Sequence, residues 1–125
     1  MSWPTEITLT GAHASLVPLS HDHHDALVEA VEDGRLWELW YTWIPRPEEM
    51  TQEIDRRLGL KAVGSMIPFT VLDAAGRPVG MTTYMHIDAK DARLEIGSTW
   101  YRAAVQRSPL NTECKQLLMN HAFEA

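Results

Sequence analysis

The chain has 125 residues, 45% of them apolar and 22% charged, which suits a globular domain with one core. Its formal charge of −6 argues against a general grip on nucleic acid, which needs a basic face. A single cysteine, Cys114, excludes a disulfide framework and a cysteine-rich metal site, and it suits a reducing cytoplasm.

The opening segment MSWPTEITLTG has neither the basic nor the apolar region of a signal peptide. No apolar run approaches the roughly 18 residues of a membrane span. The first elements are a short strand over Ile7–Leu9, a turn at Gly11, and a strand over Ala14–Leu19 that Pro18 closes. Ser20 then stands before HDHHDALVEAVEDG, where Ala26, Leu27, Ala30 and Val31 fall on one helical face. Asp22 and Asp25 suit the positive end of that helix's dipole, and Gly34 is a natural stop. After the aromatic stretch RLWELWYTWIPRP, Pro47 suits the first position of a second helix. Its core positions are Met50, Ile54 and Leu58, and it should end near Gly64.

The pattern then changes to period two. PFTVLD, PVGMTTYMHID and RLEIGSTWY read as three strands joined by the turns AAGR and AKDA, an antiparallel meander. Last, Ser108 can cap a helix with Pro109 at its first position, and Leu110, Cys114, Leu117, Leu118 and His121 line one face. The order strand, helix, helix, three strands, helix (β-α-α-β-β-β-α) makes an α+β domain, an antiparallel meander with flanking helices, expected to occupy residues 1–125 as one unit. One expectation is unusual. The last helix has a buried-type stripe, yet no strand follows it to pack against, so the fold looks truncated and the helix face unpartnered.

Strung together, GRPVGMTTYMHID, ARLEIGSTWY and VQRSPLNTECKQLLMNHAFE resemble the GCN5-related N-acetyltransferases. The likeness is to the amino-terminal two-thirds of that acyl-CoA N-acyltransferase fold, in the branch that acts on ribosomal-protein amino termini and small amines. It implies acetyl-CoA as cosubstrate and an amine as acceptor. In the family, a loop Gln/Arg-x-x-Gly-x-Gly/Ala holds the pyrophosphate on backbone N–H groups and a helix start. The matching stretch here is Gln106, Arg107, Ser108, Pro109, Leu110 and Asn111, followed by Thr112. Pro109 and Asn111 occupy the two glycine positions, and proline removes a donor.

By the same resemblance, backbone groups of Ser98, Thr99, Trp100 and Tyr101 run along the pantetheine arm from a bulged, splayed strand. Glu95 on that strand is the implied general base; the plainer reading is a solvated charge opposite Arg93 or Lys90. Trp37, Trp40, Tyr41 and Trp43 would flank the acceptor, or form a hydrophobic lid packed on the sheet. Tyr84 and His86, which strand alternation puts on one face, would reach the acceptor cleft or cover a half-buried sheet. HDHHD at 21–25 invites a metal, with His21 and Asp25 one turn apart, but a polar first turn is the better reading, so no metal is expected. Cys114 falls on an apolar stripe and reads as a core thiol. The missing last strand leaves an acetyltransferase completed as a homodimer, a non-catalytic, self-associating or ligand-binding remnant of the same fold, and, as a third reading, an unrelated α+β binding protein.

Overall fold

The computed structural model describes residues 8–33, 35, 44–88, 90, 91, 93–102 and 109–124. Strands β1 (Leu9–Thr10) and β2 (Ala14–Pro18) form a hairpin; helices α1 (His24–Glu32) and α2 (Met50–Ala62) follow. Strands β3 (Met66–Asp73), β4 (Pro78–Asp88) and β5 (Arg93–Tyr101) come next, then helix α3 (Pro109–Glu124). The strands make one five-stranded sheet in the order β1-β2-β3-β4-β5, and every neighbouring pair is antiparallel. This is the expected mixed fold, with the meander extended by a hairpin.

Local chemistry places the helices much as their sequences suggest. The Ser20 hydroxyl accepts from the Asp22 amide and opens a single 3₁₀ turn, His21–His23, ahead of α1. Pro47 begins a similar turn ahead of α2. There the Glu49 carboxylate accepts from the Arg46 amide at 2.9 Å, reaching back as a capping box does.

The sheet separates two cores. On one face Leu27, Ala30 and Val31 of α1 and Met50 and Ile54 of α2 pack with Leu19, Ile44, Met81 and Trp100. On the other, Leu110, Cys114 and Leu118 of α3 pack with Leu16, Phe69, Val71, Val79 and Tyr84. The expectation that the α3 face lacks a partner is therefore overturned. The chain's own hairpin and central strands bury that stripe, because β1 and β2 widen the sheet beneath it. Glu113 fastens the arrangement: its Oε1 accepts from the amides of His13 at 2.7 Å and Ala14 at 2.9 Å.

Candidate active site

Strand β5 is the last in the sheet order, with β4 on one side. Its register against β4 is broken. Met81 pairs with Trp100 and Thr83 with Gly97, so the single residue Thr82 faces two, Ser98 and Thr99. That is a β-bulge, which leaves one residue outside the ladder and bends the strand. The consequence shows in the packing. Leu94 and Ile96 lie against the α3 core, and so does Tyr101, whereas Trp100 lies in the α1–α2 core. The phase of the strand has shifted by one residue at Ser98.

The bulge lies where the resemblance put a splayed strand. Trp100 is 3% exposed, so its side chain is core and any role along a ligand falls to its backbone. Tyr101 packs against the core cluster that holds Cys114, across the α3 interface. Burial pushes the Cys114 thiol up to about 11 and raises the Tyr101 phenol as well. Beyond β5, Arg102 closes the sheet by donating from its amide to the Val79 carbonyl at 2.7 Å. Its guanidinium donates to Asp33 at the end of α1 at 3.1 Å.

At the other end of β5, Glu95 Oε2 lies 2.7 Å from His86 Nδ1. His86 has φ +51°, a left-handed backbone that a non-glycine residue adopts at a cost of about 1–2 kcal/mol. It sits in a second register break, between Met85 and Asp88. Two expectations change here. Glu95 pairs with His86 rather than with Arg93 or Lys90; Arg93 instead reaches Asp88 at 3.4 Å and Asp91 at 3.3 Å. Tyr84 and His86 also do not share a face. Tyr84 pairs with Ile96 and is wholly buried, its hydroxyl donating to the Leu118 carbonyl. His86 turns with Glu95 to the opposite, exposed side. Tyr84 is thus a core residue under α3, and the left-handed turn at His86 breaks the two-residue alternation.

The start of α3 supplies the third component. Helices leave the N–H groups of their first turn outside their own hydrogen-bond ladder, and the macrodipole makes that end positive. Pro109 is the first residue of α3, the one position where a missing N–H costs the helix nothing. The Leu110 side chain is 3% exposed in the α3 core, while Thr112 is exposed. The side chains of Ser98 and Asn111 lie outside the described residues. Gln106, Arg107 and Ser108, and the proposed acceptor aromatics Trp37, Trp40, Tyr41 and Trp43, lie outside the described residues.

The HDHHD segment divides its histidines among three partners. His21 pairs with Asp55 at 2.8 Å and not with Asp25; His24 takes Asp25 at 2.9 Å. His23 Nδ1 meets the Thr70 hydroxyl at 2.7 Å. Burial there holds the His23 ring below its ordinary value, against the opposing pull of Asp22. Sequence reasoning missed the threonines opposite the bulge. Thr82 and Thr83 are buried, and a β-branched pair in a strand carries no signal beyond strand propensity.

A bulged edge strand leading into the start of a packed helix, on an α+β sheet of this order, defines the class. Residues 14–125 match the acetyltransferase (GNAT) domain family, and the chain belongs to it. No curated protein matches the chain. Among solved structures it is similar to a GCN5-related N-acetyltransferase from Brucella melitensis, with 26% identity and a TM-score of 0.79. That likeness covers 98% of this chain and 57% of the other. RimJ of Mycobacterium smegmatis, solved in complex with CoA-disulfide, has 16% identity and a TM-score of 0.82, over 98% of this chain and 65% of its own. An acetyl transferase from Salmonella typhimurium that modifies the N-terminal serine of a 50S ribosomal subunit protein has 17% identity. Its TM-score is 0.79, over 94% of this chain and 69% of its own. The last two likenesses speak for the fold. The chain spans 57% of the length of the first of these relatives and 65% of the second.

Proposed function

We propose that the protein is an acetyl-CoA-dependent N-acetyltransferase acting on a primary amine, of a small molecule or of a protein amino terminus. The observation that carries this reading is the bulge at Ser98, on an edge strand that runs toward the start of α3, within a GNAT domain match over residues 14–125. An acyl thioester with a diphosphate arm needs what these two elements offer: unpaired backbone groups along an extended strand, and N–H donors at a positive helix end. Solved relatives bound to CoA support the same assignment.

On this reading Ser98, Thr99, Trp100 and Tyr101 contribute backbone along the pantetheine. Gln106, Arg107, Ser108, Leu110, Asn111 and Thr112 surround the pyrophosphate. The amine nitrogen bonds to the thioester carbonyl carbon, the carbon–sulfur bond breaks, and the thiolate departs. Glu95 takes the proton the amine loses, with His86 hydrogen-bonded to its carboxylate and holding it in place. Backbone N–H at the bulge steadies the oxyanion that develops. Trp37, Trp40, Tyr41 and Trp43 flank the acceptor. Residues 1–125 act as the first part of a GNAT domain, in the cytoplasm. The protein acts as a homodimer.

The test is a titration of acetyl-CoA into the purified chain by calorimetry, with the oligomeric mass recorded alongside. Micromolar binding, about −8 kcal/mol, is expected from a dimer, and Glu95→Gln should keep binding while lowering kcat by about 10²–10⁴-fold. No heat from a folded sample would refute the assignment.

A further inference from the structure

The bulge on β5 is held by side chains, and their hydrogen bonds run in one consistent direction. The Thr83 hydroxyl donates to the Gly97 carbonyl at 2.6 Å, and the Thr99 hydroxyl donates to the same oxygen at 3.2 Å. The hydroxyls of Thr82 and Thr99 lie 2.7 Å apart. Since the Thr99 proton is spent on Gly97, Thr82 is the donor in that pair. All three hydroxyl protons then have acceptors, and two of them go to the Gly97 carbonyl.

The donors arrive from both faces. Thr83 shares the phase of Met81, in the α1–α2 core, and Thr82 shares that of Tyr84, in the α3 core. Thr82 and Thr83 are 1% and 0% exposed, where an unmade hydrogen bond is costly and water cannot replace it. A valine pair would serve strand packing as well. Hydroxyls here do something packing does not require: those of Thr83 and Thr99 donate to the carbonyl next to the break, where Thr82 alone faces Ser98 and Thr99. With the clamp in place, the extra residue is fixed at Ser98 and cannot migrate along β5. A Cβ at position 97 would meet Met85 Sδ at 2.7 Å and would have to displace that side chain.

The geometry points to Thr82, Thr83 and Thr99 as positioning residues that lock the Ser98 bulge and so present the backbone of β5 to acetyl-CoA. This rests on the acetyl-CoA reading above, and it assigns the work of splaying the strand to hydroxyls on its neighbour. The three touch one another and the Gly97 carbonyl, not the reacting atoms.

The test compares Thr83→Val, which keeps the shape and removes the donor, with Thr83→Ser, which keeps the donor and loses a methyl. Acetyl-CoA affinity is measured by calorimetry, and amide hydrogen exchange is followed along β5. Thr83→Val should weaken acetyl-CoA about tenfold and speed exchange around Ser98, whereas Thr83→Ser should bind within about twofold of the wild type. A purely structural role would make the serine, which leaves a methyl-sized void, at least as damaging as the valine. If Thr83→Val does not fold, Thr99→Val, at a half-buried position, removes the second donor and is read in the same way. Wild-type binding with an unaltered valine variant overturns the clamp and leaves the acetyl-CoA reading standing. A wild type that binds no acetyl-CoA overturns both.

Discussion

Glu53 and Arg57 on α2 form an ion pair in which both side chains are shut off from solvent, at 1% and 2% exposure, with Arg57 Nε 2.7 Å from Glu53 Oε2. Arg56 adds a second contact from the surface, Nε to Oε1 at 2.7 Å, but its side chain is 49% exposed and contributes little. Burial alone would raise the Glu53 carboxyl, yet hydrogen bonds and charge from Arg56 and Arg57 outweigh it and hold the group below its ordinary value. Glu53→Leu strands the Arg57 guanidinium without its carboxylate, and such a loss costs about 3–5 kcal/mol. Unfolding entropy of about 2.1 cal/mol/K per residue over 125 residues is about 0.26 kcal/mol/K, so the midpoint should fall by about 12–19 °C. Arg57→Leu should cost a similar amount. The double variant Glu53→Leu/Arg57→Leu should recover most of it, because two apolar side chains of similar bulk remove both desolvation costs. The sign with pH follows from the lowered carboxyl: the stabilisation is present above the unfolded carboxyl value and is lost as pH falls through the folded one. Urea and thermal unfolding of the four proteins, at neutral and acidic pH, supply the cycle. Single variants within 1 kcal/mol of wild type, or strictly additive losses in the double, would refute the reasoning.

Four smaller tests probe other contacts. Glu113→Ala removes the acceptor of the His13 and Ala14 amides and should cost about 1–2 kcal/mol in urea unfolding. The difference from wild type should shrink as pH falls through the carboxyl value that these amides hold low. Gly11→Ala would place a Cβ 2.1 Å from Glu113 Oε1, so it should displace that carboxylate and add little to Glu113→Ala in the double variant. Gly80→Ala brings a Cβ to 2.1 Å from the Trp100 carbonyl, backbone that cannot swing aside, and should destabilise by about 1–3 kcal/mol while disturbing β5. Cys114, buried with its thiol pushed up to about 11, should resist a thiol reagent at pH 8 in the native protein and react once in denaturant.

What the sequence disclosed and what it withheld divide along a physical line. Period and punctuation placed β4 over Pro78–Asp88, β5 over Arg93–Tyr101 and α3 from Pro109, because those signals are local: alternation for strands, a 3.6-residue stripe and a proline for the helix. The α3 stripe was legible, but its partner was not. Only the pairing of Leu16 with Val71, far apart in the chain, shows that the sheet extends under that helix. The Tyr84–His86 pairing failed for the converse reason. Alternation assumes an unbroken ladder, and a single φ of +51° at His86 turned one of the two residues to the other face.

The bulge at Ser98 shows why register is the quantity hardest to read and the one this site depends on. Unbroken alternation through RLEIGSTWY would send Ile96, Ser98 and Trp100 to one face, with Trp100 against α3. Instead Ile96 remains against α3 while Trp100 enters the α1–α2 core, which takes one inserted residue. An insertion of this kind unpairs backbone that a regular ladder would keep, and the fold must supply donors in its place. Here these are threonine hydroxyls on β4 and β5, two of them buried. The break in the strand therefore lies in an offset between strands about fifteen residues apart along the chain, and the threonines around it look, in sequence, like ordinary strand formers.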